Sequence, residues 1–286
     1  MRQAPCAIGK ANRVDSVWPD ARPAVMGILN CTPDSFSDGG HFADSATALA
    51  HAETMLDEGA DLIDVGGEST RPGSAPVSAA EERQRVVPVI IELRRRRPSA
   101  TISVDTSKPE VAAAALAAGA DLVNDVTGAS HPEMLWLVAE AEAGVVLMHM
   151  RGQPRTMQQD THYTDVVREV HAYLLERAAA AVASGIPPDR VWLDPGIGFG
   201  KDEEGNLALL AALPRLAAHG HPVVVGPSRK SFIGRLSGAP VERRLPGTLA
   251  ALLPVLGLER CAVRVHEPGA VRQFLAIAAR LHGATP

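Results

Sequence analysis

The chain has 286 residues, 46% of them apolar but only 3% aromatic, and carries a formal net charge of −5. That length suits one large domain, and the charge, without a broad basic stretch, argues against nucleic acid as a main partner. No apolar run approaches the roughly 18 residues that would span a bilayer, so no membrane association is expected.

Residues 1–20 lack the apolar segment of a signal peptide and are expected to form a flexible N-terminal tail, leaving one folded domain over 21–286. Eight short runs rich in Val and Ile then follow, each ending in a polar cluster: ILNCTPDSFSDGG, LIDVGGESTRPGS, ISVDTSKP, LVNDVTG, VVLMHMRG, VWLDPGIGFGK, VVVGPSRKS and AVRVHEPG. Their length and β-branched content predict strands. Stretches with helical spacing separate them. SATALAHAETMLDEGA comes first, with Ser45 as a candidate cap and Gly59 as a stop. AAEERQRVVPVIIELRRRR and PEVAAAALAAGA come next, the latter with Pro109 suited to a first helical turn. PEMLWLVAEAEA, YTDVVREVHAYLLERAAAAVASG and GNLALLAALPRLAAHG continue the alternation. TLAALLPVLGLE, interrupted by Pro254, and PGAVRQFLAIAARLHG complete it.

Alternating β and α predicts parallel strands joined by right-handed crossovers. With eight units, and polar motifs after nearly every strand, closure into a (β/α)8 TIM barrel is expected over an open sheet, whose chemistry would gather at one switch point. The strand tips Asn30, Glu68, Asp105, Asn124, His149, Asp194, Lys230 and His266 would then crowd one rim. Cys6, Cys31 and Cys261 are scattered, which argues against a disulfide framework and for a reducing cytoplasm.

The long first loop reads either as a turn built on Pro33 and Gly39–Gly40 or as a lid over the barrel mouth. Asn30, at its base, offers a carbonyl oxygen to a hard cation. Thr70 and Arg71 present a hydroxyl and a guanidinium suited to an anion, whereas Arg94–Arg97 read as a solvated helix end. Asp105, Asn124, Asp125 and Asp194 suit a flat heterocycle with several N–H groups, although Asp125 and Asp194 are equally suited to capping a turn or helix. Ser228, Arg229, Lys230, Arg264 and His266, on the last two strands, stand where such barrels commonly bind phosphate, with Arg229 a candidate to point outward.

Other chemistries fail on spacing. GIGFG has neither the dinucleotide nor the Walker pattern, no histidine pair has metalloprotease spacing, and there is no G-x-S-x-G elbow.

The motifs ILNCTPDSFSDGG, DVGGESTRPGS, SVDTSKPEV, VNDVTG, LMHM, LDPGIGFGK, GPSRKSFIG and RVH, in that order between about Val25 and Leu281, closely resemble the dihydropteroate synthase family. The resemblance implies a pterin-binding (β/α)8 catalytic domain that condenses 6-hydroxymethyl-7,8-dihydropterin diphosphate with 4-aminobenzoate, a step of folate biosynthesis and a sulfonamide target. It implies Asn30 as a ligand of Mg2+, and Thr70 and Arg71 near the diphosphate and the aminobenzoate. It places Asp105, Asn124, Asp194 and Lys230 on the pterin ring with Met148 beside it, and Phe199 and Ser228 on the aminobenzoate side. Arg264 and His266 would hold the diphosphate, with Arg264 also over the pterin. A cytoplasmic homodimer packed through late helices is implied too. Cys31 departs from the family's frequent valine and Glu267 from its frequent aspartate. A pterin-binding methyltransferase module, a Schiff-base aldolase using Lys230 and a non-catalytic pterin-binding protein are the competing classes.

Overall fold

Eight parallel strands close into a barrel in chain order, each bonded to the next and the eighth to the first. They are β1 (Ala24–Asn30), β2 (Leu62–Gly66), β3 (Thr101–Asp105), β4 (Leu122–Asp125), β5 (Gly144–Met148), β6 (Val191–Asp194), β7 (Val223–Val225) and β8 (Cys261–Val265). The computed structural model describes residues 10–19, 22–32, 40–70, 74–152 and 156–283.

Among those residues the helices are α1 (Lys10–Asp15), α2 (Gly40–Asp57), α3 (Ala79–Arg96), α4 (Pro109–Ala118), α5 (Pro132–Glu140), α6 (Val166–Ala183), α7 (Glu203–Ala211), α8 (Leu213–Ala217), α9 (Ser231–Ser237), α10 (Leu245–Ala251) and α11 (Pro268–Gly283). Local chemistry explains several of their ends. Pro109 opens α4, and Asp165 and Asp202 accept hydrogen bonds from the first turns of α6 and α7. Gly59 follows α2 with φ +98°, a backbone that halts the helix. Ser45 is not the cap expected of it: α2 begins at Gly40, one and a half turns earlier, and Ser45 lies inside it. The segment after β7 adds the short helix α9, whose sequence SFIGRLS is too brief to show helical periodicity.

Successive side chains on a strand point to opposite faces, and this alternation creates two cores. Val25, Ile63, Val104, Val145, Leu193 and Val263 point outward under the helices. Met26, Leu62, Leu122, Val146, Trp192 and Val224 fill the barrel interior. Small aliphatic side chains supply nearly all of this packing, as the scarcity of aromatics requires.

The interior core is sealed at the strands' N-terminal end by residues expected to be a loose tail. Within the described part of that stretch, Val14 and Val17 are buried in the interior core, and Trp18 packs on Trp192 with ring centroids 4.6 Å apart. Arg13 reaches Asp121 at 2.8 Å, and Asp121 also accepts from Arg94 at 2.5 Å. A short amphipathic plug has too few residues to show its period, so the sequence conceals it. Arg94 likewise departs from the solvated reading of Arg94–Arg97. It turns inward onto Asp121 and the carbonyls of Pro98, Ala100 and Gly119, while Arg95, Arg96 and Arg97 pair at the surface with Glu92, Glu53 and Asp57.

Candidate active site

Above the apolar interior, the inward-facing positions become polar. Asp64, Asp105, Asn124, Asp194 and Arg264 carry on the same alternation as Leu62, Leu122, Trp192 and Ala262, so the strands themselves aim them into the mouth. All but Asp64, which is fully buried, bound an open cleft lined by Thr70, Asp105, Asn124, Met148, Asp194, Phe199, Lys230 and Arg264, among others.

One side of the cleft is an ion network. Arg264 donates from Nε to Asp64 at 2.6 Å and from Nη2 to Asp105 at 2.7 Å. Asn124 donates to the same Asp64 oxygen at 2.9 Å, and Asp64 Oδ1 is buried with no hydrogen-bond partner among the described residues. Burial works against the Arg264 charge, but Asp64 and Asp105 together hold its pKa above the ordinary arginine value. Burial pushes Asp105 up to about 7, against the opposing pull of Arg264. Asp105, which lines the cleft, can accept from ring N–H groups in its ionised form, while the buried Asp64 holds Arg264 from behind.

The opposite side is built by the loops after β6 and β7. Asp194 accepts from the Gly196 amide at 2.7 Å, and burial raises it to about 6. Asp194 thus braces its turn and also lines the cleft. Lys230 sets its ammonium 3.9 Å from the centre of the Phe199 ring. Between Ser228 and Lys230, Arg229 adopts φ +56°, a left-handed conformation that a non-glycine residue holds only under constraint. Three anchors supply that constraint: the Arg229 amide donates to Thr248 at 3.1 Å, its carbonyl accepts from Arg244 at 3.1 Å, and its Nε donates to Glu267 at 2.7 Å. Arg229 therefore points away from the cleft. Ser228 Oγ lies 2.9 Å from His266 Nδ1 and accepts from the His266 amide at 3.3 Å.

Other expected residues fall as follows. Asn30 is half-buried at the tip of β1, its backbone in register with Gly66. Met148 is buried in a small apolar cluster with Val126, Met157 and Phe199. Arg71, and the first loop from Pro33 to Gly39, lie outside the described residues. Three strand tips do not serve the cleft. Glu68 pairs with Lys108, Asp125 accepts from the amide and hydroxyl of Thr127 at 2.7 Å, and His149 packs edge-on against Tyr173. Asp125 and His149 share the alternation of Val123 and Leu147 and so face the helices, a distinction that counting along the strand would have revealed. Cys31 is buried, and burial pushes its thiol up to about 12, which leaves it unreactive.

Two residues went unnoticed in the sequence. Asp64 sits mid-strand, where its inward parity was the available signal. Lys201 follows the glycine loop and is fully buried; nothing in its local sequence distinguishes it from a surface lysine.

Among the described residues, no group of three or more His, Cys, Asp or Glu side chains could hold a metal ion. A lone carboxamide at Asn30 does fit a hydrated Mg2+, which keeps most of its waters and takes few protein ligands.

A model of the family described as pterin binding enzyme matches residues 26–266. The chain is 46% identical over 259 residues to the dihydropteroate synthase of Synechocystis, covering 90% of this chain and 89% of that protein. A solved Xanthomonas albilineans dihydropteroate synthase with 4-aminobenzoic acid superposes with a TM-score of 0.85 at 46% identity, over 92% of this chain and 94% of that one. The same organism's enzyme in complex with 7,8-dihydropteroate gives a TM-score of 0.82 at 44% identity, over 92% and 95%. With the barrel, the polar mouth and these likenesses in agreement, the chain belongs to the pterin binding enzyme family, among its dihydropteroate synthases.

Proposed function

We propose that this protein joins 6-hydroxymethyl-7,8-dihydropterin diphosphate to 4-aminobenzoate, releasing dihydropteroate and diphosphate. The observation that carries the reading is Arg264, held from behind by buried Asp64 and paired with Asp105, facing Asp194 and Lys230 across one cleft. Asn124 and Asp194 offer an amide and a carboxylate to the pterin's N–H and NH2 edge, which a carboxylate matches with two parallel hydrogen bonds. Lys230 and Met148 border the ring.

The C–O bond between the pterin methylene and diphosphate breaks with its electrons passing to the leaving group. The ring nitrogens spread the resulting positive charge, and Asp105 in its ionised form stabilises it. Arg264 and His266 receive the departing diphosphate, His266 being oriented by Ser228. Mg2+ held at Asn30 would supply further neutralisation of the diphosphate. The arylamine nitrogen then forms the new C–N bond and sheds its proton to solvent. A neutral arylamine is already nucleophilic, so no protein nucleophile or dedicated base enters. Thr70, which lines the cleft, meets the diphosphate and the aminobenzoate, a role that the family resemblance gives to Arg71 as well, and Phe199 with Ser228 borders the arylamine.

Among the described residues, no helix is long and apolar enough to cross a membrane. Exposed Leu253, Ile277 and Leu281 on the late helical segments support a homodimer, and the buried free thiols of Cys31 and Cys261 support a cytoplasmic setting.

The test is a steady-state reaction with pterin diphosphate, 4-aminobenzoate and Mg2+, followed by chromatography of dihydropteroate and measurement of released diphosphate. One dihydropteroate per diphosphate is expected. Pterin binding without turnover would leave a binding protein, and a borohydride-trapped adduct on Lys230 would point to Schiff-base chemistry instead.

A further inference from the structure

Lys201 is among the largest side chains with no solvent exposure, and it lies directly behind the wall of the cleft. Its ammonium contacts the carbonyls of Phe199 at 2.7 Å, Gly196 at 3.0 Å and His149 at 3.2 Å, and the ring nitrogen His149 Nδ1 at 3.1 Å. An ammonium has three protons to donate, so this cage satisfies it fully. Burial lowers Lys201 to about 7 and, with the lysine's charge, lowers His149 to about 3, which leaves the imidazole neutral and able to accept at Nδ1. Its four acceptors offset the cost of holding the ammonium in the interior.

Those acceptors belong to the turn that forms the wall. Gly196 and Phe199 are joined across the turn by a hydrogen bond of 3.0 Å from the Phe199 amide. The turn presses so closely on β5 that a Cβ at Gly196, where φ is +69°, would stand 1.9 Å from the His149 carbonyl oxygen. From this turn the Gly196 amide reaches Asp194, and the Phe199 ring lies beneath the Lys230 ammonium. Three carbonyl oxygens converging on one point repel one another unless a cation stands between them, so the turn's shape depends on the ammonium.

We propose that Lys201 is a positioning residue for the arylamine substrate: its buried ammonium gathers the carbonyls of His149, Gly196 and Phe199, and so sets the Phe199 ring and the Lys230 side chain above it. This inference rests on the synthase reading given above.

Lys201→Met keeps the apolar stem and removes the donors. Its KM for 4-aminobenzoate is expected to rise at least about tenfold, equivalent to about 1.4 kcal/mol. Its calorimetric Kd for 6-hydroxymethylpterin is expected to rise less, by about threefold, because Asp194 and Lys230 depend on the turn whereas Asp105 and Asn124 hold the ring without it. Lys201→Gln, whose amide can serve part of the cage, should recover part of the loss. A general weakening of the fold would instead lower the active fraction, and so kcat, without this split. An unchanged 4-aminobenzoate KM in folded Lys201→Met overturns the inference while leaving the synthase reading intact. Failure of both variants to fold also overturns it, since Lys201 would then serve the core. A wild-type protein that makes no dihydropteroate removes both readings together.

Discussion

Arg264 on β8 and Asp105 on β3 meet at 2.7 Å although two strands stand between them. By residue type the sequence suggests a heterocycle for the carboxylate and a phosphate for the arginine, and the family resemblance sets the arginine over the pterin as well. Their pairing fits both, because one guanidinium bridges two acids and borders the space proposed for the leaving group.

Loss of either side of the cleft should be severe. Asp105→Ala and Lys230→Ala are each expected to cut kcat by at least ~100-fold, the scale of removing one preorganised electrostatic contact. Steady-state turnover measures this, and a near-normal rate in either variant would exclude that residue from the chemistry.

The raised Asp105 pKa predicts a pH-dependent stability. In the unfolded chain this carboxyl ionises near the ordinary aspartate value of 3.8, while in the fold burial above all keeps it protonated up to about 7. The stabilisation is therefore complete below the unfolded value and is lost as pH rises through the folded one. Asp105→Asn cannot ionise, so its unfolding free energy should gain on the wild type's as pH rises from about 4 to about 7. Urea titrations across that range provide the measurement, and a constant difference would mean that Asp105 does not titrate there.

Removing residues 1–19 should destabilise the barrel by at least ~3 kcal/mol, because Val14 and Val17 each bury a side chain worth roughly 1.5–3 kcal/mol. Trp192 would also lose its packing against Trp18. A lowered denaturation midpoint is the expected result, and an unchanged midpoint would return the segment to the status of a tail.

Lys108 joins Glu68 and the fully buried Glu82, whose second oxygen, Oε1, has no hydrogen-bond partner among the described residues. Lys108→Met strands that carboxylate and is expected to cost ~3–5 kcal/mol. Adding Glu82→Gln should restore much of the loss, because the buried charge is gone. A double-mutant cycle by chemical denaturation reads the coupling, and additive effects would show that the pair is not coupled.

The strands and the order of their polar ends were legible because both are local properties. A β-branched run declares a strand, and Asp105, Asn124, Asp194 and Lys230 stand within a residue or a few of strand ends. His149 stands at a tip but on the helix side of its strand, and Asp125, on that side too, takes the turn-capping role the sequence left open to it. Asp64 was passed over for the converse reason, being inward-facing but away from the tip. Arg94 and residues 10–19 escaped because their partners, Asp121 and Trp192, are remote in sequence.

The sequence by itself determined the eightfold β/α alternation, the polar chemistry of the rim and the family likeness, all of which reside in local pattern and motif order. Tertiary structure alone decided that Arg264 bridges two aspartates, that Arg229 turns away while Lys230 lines the cleft, and that a buried lysine meets the carbonyls of the Phe199 turn. The physical reason is closure. A barrel brings side chains up to 200 positions apart within 2.6 Å, as with Asp64 and Arg264, and burial then sets their charge states. No local pattern encodes either step.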